Sequence, residues 1–298
     1  MCGIAGLFLK DRQLEPDLGG MLEAMTATLC SRGPDSAGFA IYGEGSSGQS
    51  KLTVRVSGAA TDSETIIGRM ASALGMDVEV SRRDTHLVLT APTDAMPKIR
   101  AWLDQNVPEI TIVSEGTRME VYKGVGYPTD VARRFGLATM GGTHGICHTR
   151  MATESAITID GAHPFTTGAD QCLVHNGSIS NHASLRRSLL QDGIPVRTLN
   201  DSEVAAGYLS REMRAGRSLG EALESGLSDL DGFYTFVVGT ESGFGVLRDP
   251  IACKPAVMAE TDRYVAFASE YKSLTGLPGI DNARVWEPKP ATVYFWER

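Results

Sequence analysis

The earliest residue able to do covalent chemistry is Cys2, followed by Gly3 and Ile4. Once Met1 is clipped, that one residue carries both a thiol and a free α-amine. Free-solution pKa values of about 8.5 for the thiol and roughly 7.7–8.0 for the amine make the amine a local base. Thiolate attack on an amide carbon gives an acyl-enzyme, and the protonated amine can return its proton to departing ammonia. The competing reading is a buried strand cysteine, since free thiols mostly serve as packing residues.

An anionic tetrahedral intermediate needs preorganised donors. Asn176-Gly177, after the apolar run ending at Val174 and His175, offers a side-chain amide and a closely approachable backbone N–H. An ordinary Asn-Gly turn is the alternative. A free amino-acid amide as substrate would also bring an α-carboxylate and an α-ammonium, which must be paired if buried. Arg150 closes the run Cys147-His148-Thr149 and has a fork that grips a carboxylate through two hydrogen bonds. Asp201, ahead of a helical pattern, can receive the ammonium. Their structural alternatives are a surface salt bridge and a plain N-cap.

These residues are spread from position 2 to position 201, so a sizeable fold must gather them. The 298 residues, 42% hydrophobic and 21% charged, have the balance of a soluble globular protein of one large domain or two ordinary ones. A formal charge of −8 with no Lys/Arg cluster argues against a nucleic-acid surface. The apolar run Ile4 to Leu9 is too short for a signal-peptide core or a membrane span. Five widely spaced cysteines without a CxxC pair argue against a disulfide framework or a metal site, and place the chain in a reducing cytoplasm.

The patterning predicts a buried strand at Cys2–Leu9, a helix carrying Leu18, Leu22 and Met25, a turn at 31–36 and a strand at Gly38–Tyr42. From residue 50 to 125 the order β-α-β-β-α-β, with one further strand, suggests an inserted ferredoxin-like module. Residues 1–49 and 126–298 then form the main domain. There the pattern predicts a short helix at Pro128–Phe135, strands at 145–149 and 171–175, and helices from Asn181, from Asp201 or Ser202, and from the capping box Ser218-x-x-Glu221. Short strands return from Gly232 onward. The sequence of strands, helices and strands fits a layered α+β protein with two packed sheets.

Eight segments in order resemble the class II (N-terminal nucleophile) glutamine amidotransferase family. They are Cys2-Gly3-Ile4-Ala5-Gly6, Arg32-Gly33-Pro34-Asp35-Ser36-Ala37-Gly38, His148-Thr149-Arg150-Met151-Ala152-Thr153, Ala162-His163-Pro164-Phe165, His175-Asn176-Gly177, and Asn200-Asp201-Ser202-Glu203. Arg248-Asp249-Pro250 with Lys254-Pro255, and Phe267-Ala268-Ser269-Glu270, complete the set. The resemblance implies an N-terminal-nucleophile hydrolase fold, a four-layer αββα sandwich. It implies Cys2 as nucleophile and base, Asn176 and Gly177 as the oxyanion hole, Arg150 and Thr153 for the glutamine carboxylate, and Asp201 for its amino group. His163 is a further substrate-side residue, with a structural role before Pro164 as its alternative. Arg32 and Asp35 are similar to residues that order the wall around the N-terminus. Many members of the family carry Trp where Met151 stands, so any lid built on that Trp works differently here.

No ATP-pyrophosphatase loop, P-loop, sugar-isomerase or phosphoribosyl-transferase segment accompanies these motifs. The chain therefore resembles the freestanding amidotransferase subunit of split glutamate synthases, N-methylglutamate synthase being the nearest comparison. That resemblance implies no cofactor on this chain, with FMN, iron–sulfur clusters and a glycine-rich tunnel region on partner subunits. A stand-alone γ-glutamyl amidohydrolase of the same fold and a non-catalytic interaction protein are the other two readings.

Overall fold

The computed structural model describes residues 2–56, 63–152 and 156–298. The chain runs β1 (Gly3–Leu9), α1 (Leu18–Ala27), β2 (Ser36–Tyr42), β3 (Gln49–Val56), α2 (Ser63–Leu74), β4 (Glu79–Arg83), β5 (His86–Pro92), α3 (Met96–Asn106), β6 (Ile110–Gly116), β7 (Met119–Val125), α4 (Pro128–Phe135) and β8 (His144–Arg150). It continues through β9 (Phe165–Gly168), β10 (Gln171–Ile179), α5 (His182–Gln191), α6 (Asp201–Arg214), α7 (Leu219–Asp229), β11 (Gly232–Gly239), β12 (Gly243–Arg248), β13 (Val257–Glu260), β14 (Tyr264–Ala268), β15 (Arg284–Trp286) and β16 (Thr292–Glu297).

Among the described residues the strands form three sheets, with orders β15-β13-β14-β1-β8-β2-β7, β16-β12-β11-β10-β9 and β4-β5-β3-β6. The first two lie face to face. Alternation along each strand sorts the side chains. In β1, Ile4 and Phe8 point into the gap between the sheets, where they meet Ile146, Val174, Val237 and Phe244. Ala5, Leu7 and Leu9 point outward onto Leu18, Leu22 and Met25 of α1 and Val131 and Phe135 of α4. The second sheet packs its other face, Leu173, Phe236 and Val238, against Ala205, Leu209 and Leu223 of α6 and α7. Helix, sheet, sheet and helix make the αββα sandwich.

The third sheet, with α2 and α3 and its own core around Leu52, Met70, Leu89 and Ile99, has the order and antiparallel pairing of a ferredoxin-like unit. The strand following it, β7, pairs residue by residue with β2 of the main sheet from Ser36↔Val125 to Tyr42↔Met119. The module's sheet therefore ends at Gly116 and not at residue 125. Hydropathy alone does not separate the two, because β6 and β7 are consecutive apolar strands, and the ladder partner decides. Asp170 pins this junction by accepting backbone N–H bonds from Thr117, Arg118 and Met119 at 2.6, 2.9 and 2.9 Å. Strands β9, β13 and β15 have no counterpart in the pattern reading. They are only three or four residues long and show too little alternation to register.

Candidate active site

The ladder between β1 and β8 runs antiparallel with Gly3 opposite Thr149, so one step further sets Cys2 beside Arg150. Both lie on the inner face, at the open end of the gap between the sheets. Asn176 shares that face on β10, two residues beyond Val174. Register and alternation thus bring Cys2, Arg150 and Asn176 to the rim of one cavity of about 860 Å³, which Gly177, Asp201 and His163 also line.

Cys2 is half-buried, and its Sγ receives the Met151 N–H at 3.5 Å. Its backbone carbonyl is gripped from two sides, by Arg32 Nε at 3.1 Å and Asn176 Nδ2 at 3.1 Å. Arg32 in turn pairs with Glu270 at 2.8 Å. The bond from Arg32, and then that from Lys272, hold the Glu270 carboxyl below its ordinary value. Asp35 accepts the Ala152 N–H at 2.8 Å and donates its own N–H to the Arg150 carbonyl at 3.1 Å, which orders the turn after β8. A Cβ on Gly33 would sit 2.4 Å from the Thr149 carbonyl, so the 32–35 turn reaches this strand only through glycine.

Asn176-Gly177 is not a turn. It lies within β10, paired with Thr235 and Tyr234 of β11. Gly177 has φ +143°, and a Cβ there would lie 2.0 Å from the Phe233 carbonyl oxygen. The peptide is thereby held in a conformation reserved for glycine, at an exposed point of the cavity wall.

Arg150 is 6% exposed and donates to the Ala156 carbonyl at 3.5 Å. It is a buried side chain, not a surface one. Nor is Asp201 the N-cap of α6: Asn200 caps that helix by accepting the Ser202 N–H, and Asp201 is its first helical residue. Its carboxylate accepts the Ile179 N–H at 2.9 Å and leaves its other oxygen 3.4 Å from Ser202 Oγ and 3.7 Å from His175 Nδ1.

His163 belongs to a largely buried group within this wall. Its Nε2 meets Ser202 Oγ at 2.7 Å, and the same hydroxyl meets His175 Nδ1 at 2.8 Å. His163 also stacks on His148 with ring centroids 4.1 Å apart. Burial pushes His148 down to about 3 and His175 to about 4, the latter against the pull of Asp201. Burial, then the neighbouring His148, hold His163 well below the ordinary value. All three are neutral imidazoles near pH 7, so none adds a cation to the pocket.

Thr153 lies outside the described residues, as does Met1. Sequence reasoning missed Ser202, His148, His175 and Ser269 as structural partners of the site. Ser269 Oγ accepts the Ile4 N–H at 2.9 Å and the Asn176 amide at 3.3 Å, so it ties β1 to β10. Its position in Phe267-Ala268-Ser269-Glu270 was the available signal, and alternation from Ile146 to Arg150 was the signal for His148. The Arg248 segment acts at a distance. Arg248 donates to the carbonyls of Pro288, Ala252 and Lys254 at 2.6, 2.9 and 3.2 Å, which fixes the loop carrying Lys254 to the cavity rim.

Among the described residues, no cluster of His, Cys, Asp or Glu could hold a metal ion, and no helix is long and apolar enough to cross a membrane.

The sequence profile of the glutamine amidotransferase domain matches residues 148–276. The chain is 57% identical over 297 residues to the glutamine amidotransferase-like protein GlxB of Rhizobium meliloti (strain 1021), covering 100% of this chain and 98% of that protein. It is 33% identical over 307 residues to a putative glutamine amidotransferase of Methanothermobacter thermautotrophicus, covering 100% of both. Among solved structures, the glutamine phosphoribosylpyrophosphate amidotransferase of B. subtilis complexed with ADP and GMP matches with TM-score 0.63 at 18% identity. That match covers 99% of this chain and 47% of the other, and is a likeness of fold.

Proposed function

This chain belongs to the class II glutamine amidotransferase family, and from that premise we propose that it hydrolyses L-glutamine to glutamate and ammonia through a γ-glutamyl thioester on Cys2. With Met1 removed, the Cys2 amine takes the thiol proton, and Sγ attacks the amide carbon. Asn176 Nδ2 and the Gly177 N–H receive the developing oxyanion. The amine hands its proton to the leaving nitrogen, ammonia departs and the thioester forms. Water, activated by the same amine, then attacks the thioester; glutamate leaves and the thiol regains its proton.

The observation that carries this reading is the contact of Asn176 Nδ2 with the Cys2 carbonyl, in a cavity that Arg150 and Asp201 also line. Arg150 offers a fork to the α-carboxylate and Asp201 a carboxylate to the α-ammonium, so the two charged ends of glutamine find complementary partners. The family resemblance adds Thr153 as a second residue for the carboxylate. Arg32 and Asp35 hold the nucleophile and the turn beside it, and His163 supports the wall through Ser202.

The ammonia is passed to a synthase on separate chains, of the glutamate synthase or N-methylglutamate synthase type, which carry the FMN, the iron–sulfur clusters and the glycine-rich tunnel region. Support comes from the rim of the cavity. Leu199 is 91% exposed and Met151 36%, and both line it. Exposed apolar residues gathered at a pocket mouth are what a docking partner covers. A stand-alone hydrolase would release ammonia at full rate without one.

The test is intact mass after treatment with 6-diazo-5-oxo-norleucine, followed by peptide mapping. Loss of Met1 and one adduct on Cys2, absent from Cys2→Ala, is the expected result. Retained Met1 with no adduct would overturn the assignment.

A further inference from the structure

A second cavity, of about 410 Å³, lies where the ferredoxin-like module meets the amidotransferase domain. Such a volume suits a small metabolite. Arg55 of β3 lines one side, Lys123 and Phe165 the floor, and the exposed Arg197 and Arg214 the mouth. Lys123 is only 8% exposed. Its ammonium lies 4.6 Å from the centre of the Phe165 ring, and it has no ion pair or hydrogen bond among the described residues. Asp160 and Glu203 act on it through space, but both carboxylates are engaged elsewhere. Asp160 pairs with Arg55 at 2.8 Å, while Glu203 accepts from Arg197 N, Thr198 N and the Thr198 hydroxyl at 2.9, 2.6 and 2.6 Å.

A buried, unpaired ammonium is costly, and burial accordingly drags the Lys123 amine down to about 8. Methionine or leucine would fill the same space without that cost. The charge has a use if something anionic completes it. We propose that this cavity binds a small organic polyanion, with one acidic group on Lys123 and Arg55 and a second on Arg197 and Arg214 at the mouth, and that its occupancy weakens glutamine binding.

The route is short. Asp160 and Thr198 line both cavities. An anion drawn to Arg55 releases Asp160, and the adjoining 156–161 segment walls the glutamine site. Ala156 O accepts from Arg150, and a Cβ on Gly161 would lie 3.3 Å from Arg150 Nη1. This second half rests on the glutaminase reading, whereas binding itself does not.

Calorimetric titration of the full-length protein with citrate, and separately with 3-phosphoglycerate, distinguishes a polycarboxylate from a phosphate ester as the anion. Saturable binding of at least one at millimolar or lower concentration is expected. Lys123→Met should weaken it by about 10-fold or more, the cost of one charge-assisted contact. The surface variant Arg214→Ala, which stays clear of the core, should also weaken it. Absence of binding by both anions, or equal binding by wild type and both variants, would overturn the site. With the better anion saturating, the glutamine KM should rise by at least about threefold in wild type and stay level in Lys123→Met. Binding with an unchanged KM would overturn the coupling alone. Loss of glutaminase activity with binding intact would instead count against the function proposed above.

Discussion

Asn176 Nδ2 donates to the backbone carbonyl of Cys2 at 3.1 Å, while also reaching Ser269 Oγ at 3.3 Å. Both hydrogens of the amide are thereby engaged. The longer bond is the weaker, so on the mechanism proposed above the hydrogen on Ser269 is the one exchanged for an oxyanion while the other keeps the amide beside Cys2.

Asn176→Ala should lower kcat for glutamine hydrolysis by about 10²–10³, the usual cost of one oxyanion donor. Steady-state kinetics check this. A rise in KM with kcat unchanged would make Asn176 a binding residue.

Arg150→Lys keeps the charge but loses the planar fork. Because the guanidinium is buried and directed by Ala156, the ammonium cannot reproduce its geometry. The glutamine KM should rise by about 10-fold or more, the loss of roughly one charge-assisted hydrogen bond. An unchanged KM would remove Arg150 from the carboxylate site.

Gly177→Ala should damage both fold and chemistry. The added methyl meets the Phe233 carbonyl at 2.0 Å, at a φ of +143° that L-residues avoid. Stability should fall by at least about 2 kcal/mol, read from the urea midpoint. Wild-type stability together with wild-type kcat would show that neither the strain nor the N–H position matters.

The buried histidines set the acid limit. His86, His144 and His148 are pushed by burial from 6.5 to about 3, and His175 to about 4. The unfolded chain therefore binds more protons than the native one below about pH 6.5, and stability must fall as pH drops. That contribution is fully present above the unfolded value and lost progressively toward pH 3–4. Urea midpoints measured from pH 7.5 to 4 should decline from about 6.5 downward. A flat profile to pH 4.5 would contradict the buried neutral state.

Much of this protein was legible before any coordinates. The apolar runs of β1, β2 and β8 and the capping box at Ser218, which the structure reproduces with both of its hydrogen bonds, are local properties. They depend on neighbours a few residues apart, and sequence records those directly. The chemistry of Cys2, Asn176, Arg150 and Asp201 was legible as residue types, because thiol, amide, guanidinium and carboxylate have fixed capabilities wherever they stand.

Their meeting was decided elsewhere. That Asn176-Gly177 is strand and not turn depends on β11, more than fifty residues away, supplying the ladder. That β7 joins the main sheet instead of the module depends on β2 being its partner. Asp201 yields the cap to Asn200 and turns to Ile179 because β10 delivers that N–H to the helix start. Ser202 becomes the hub of His163 and His175 only when β10 and α6 pack together. Hydrogen-bond partners and burial are properties of pairs distant along the chain. A sequence lists the members of such pairs, and only the closed fold selects which of them touch.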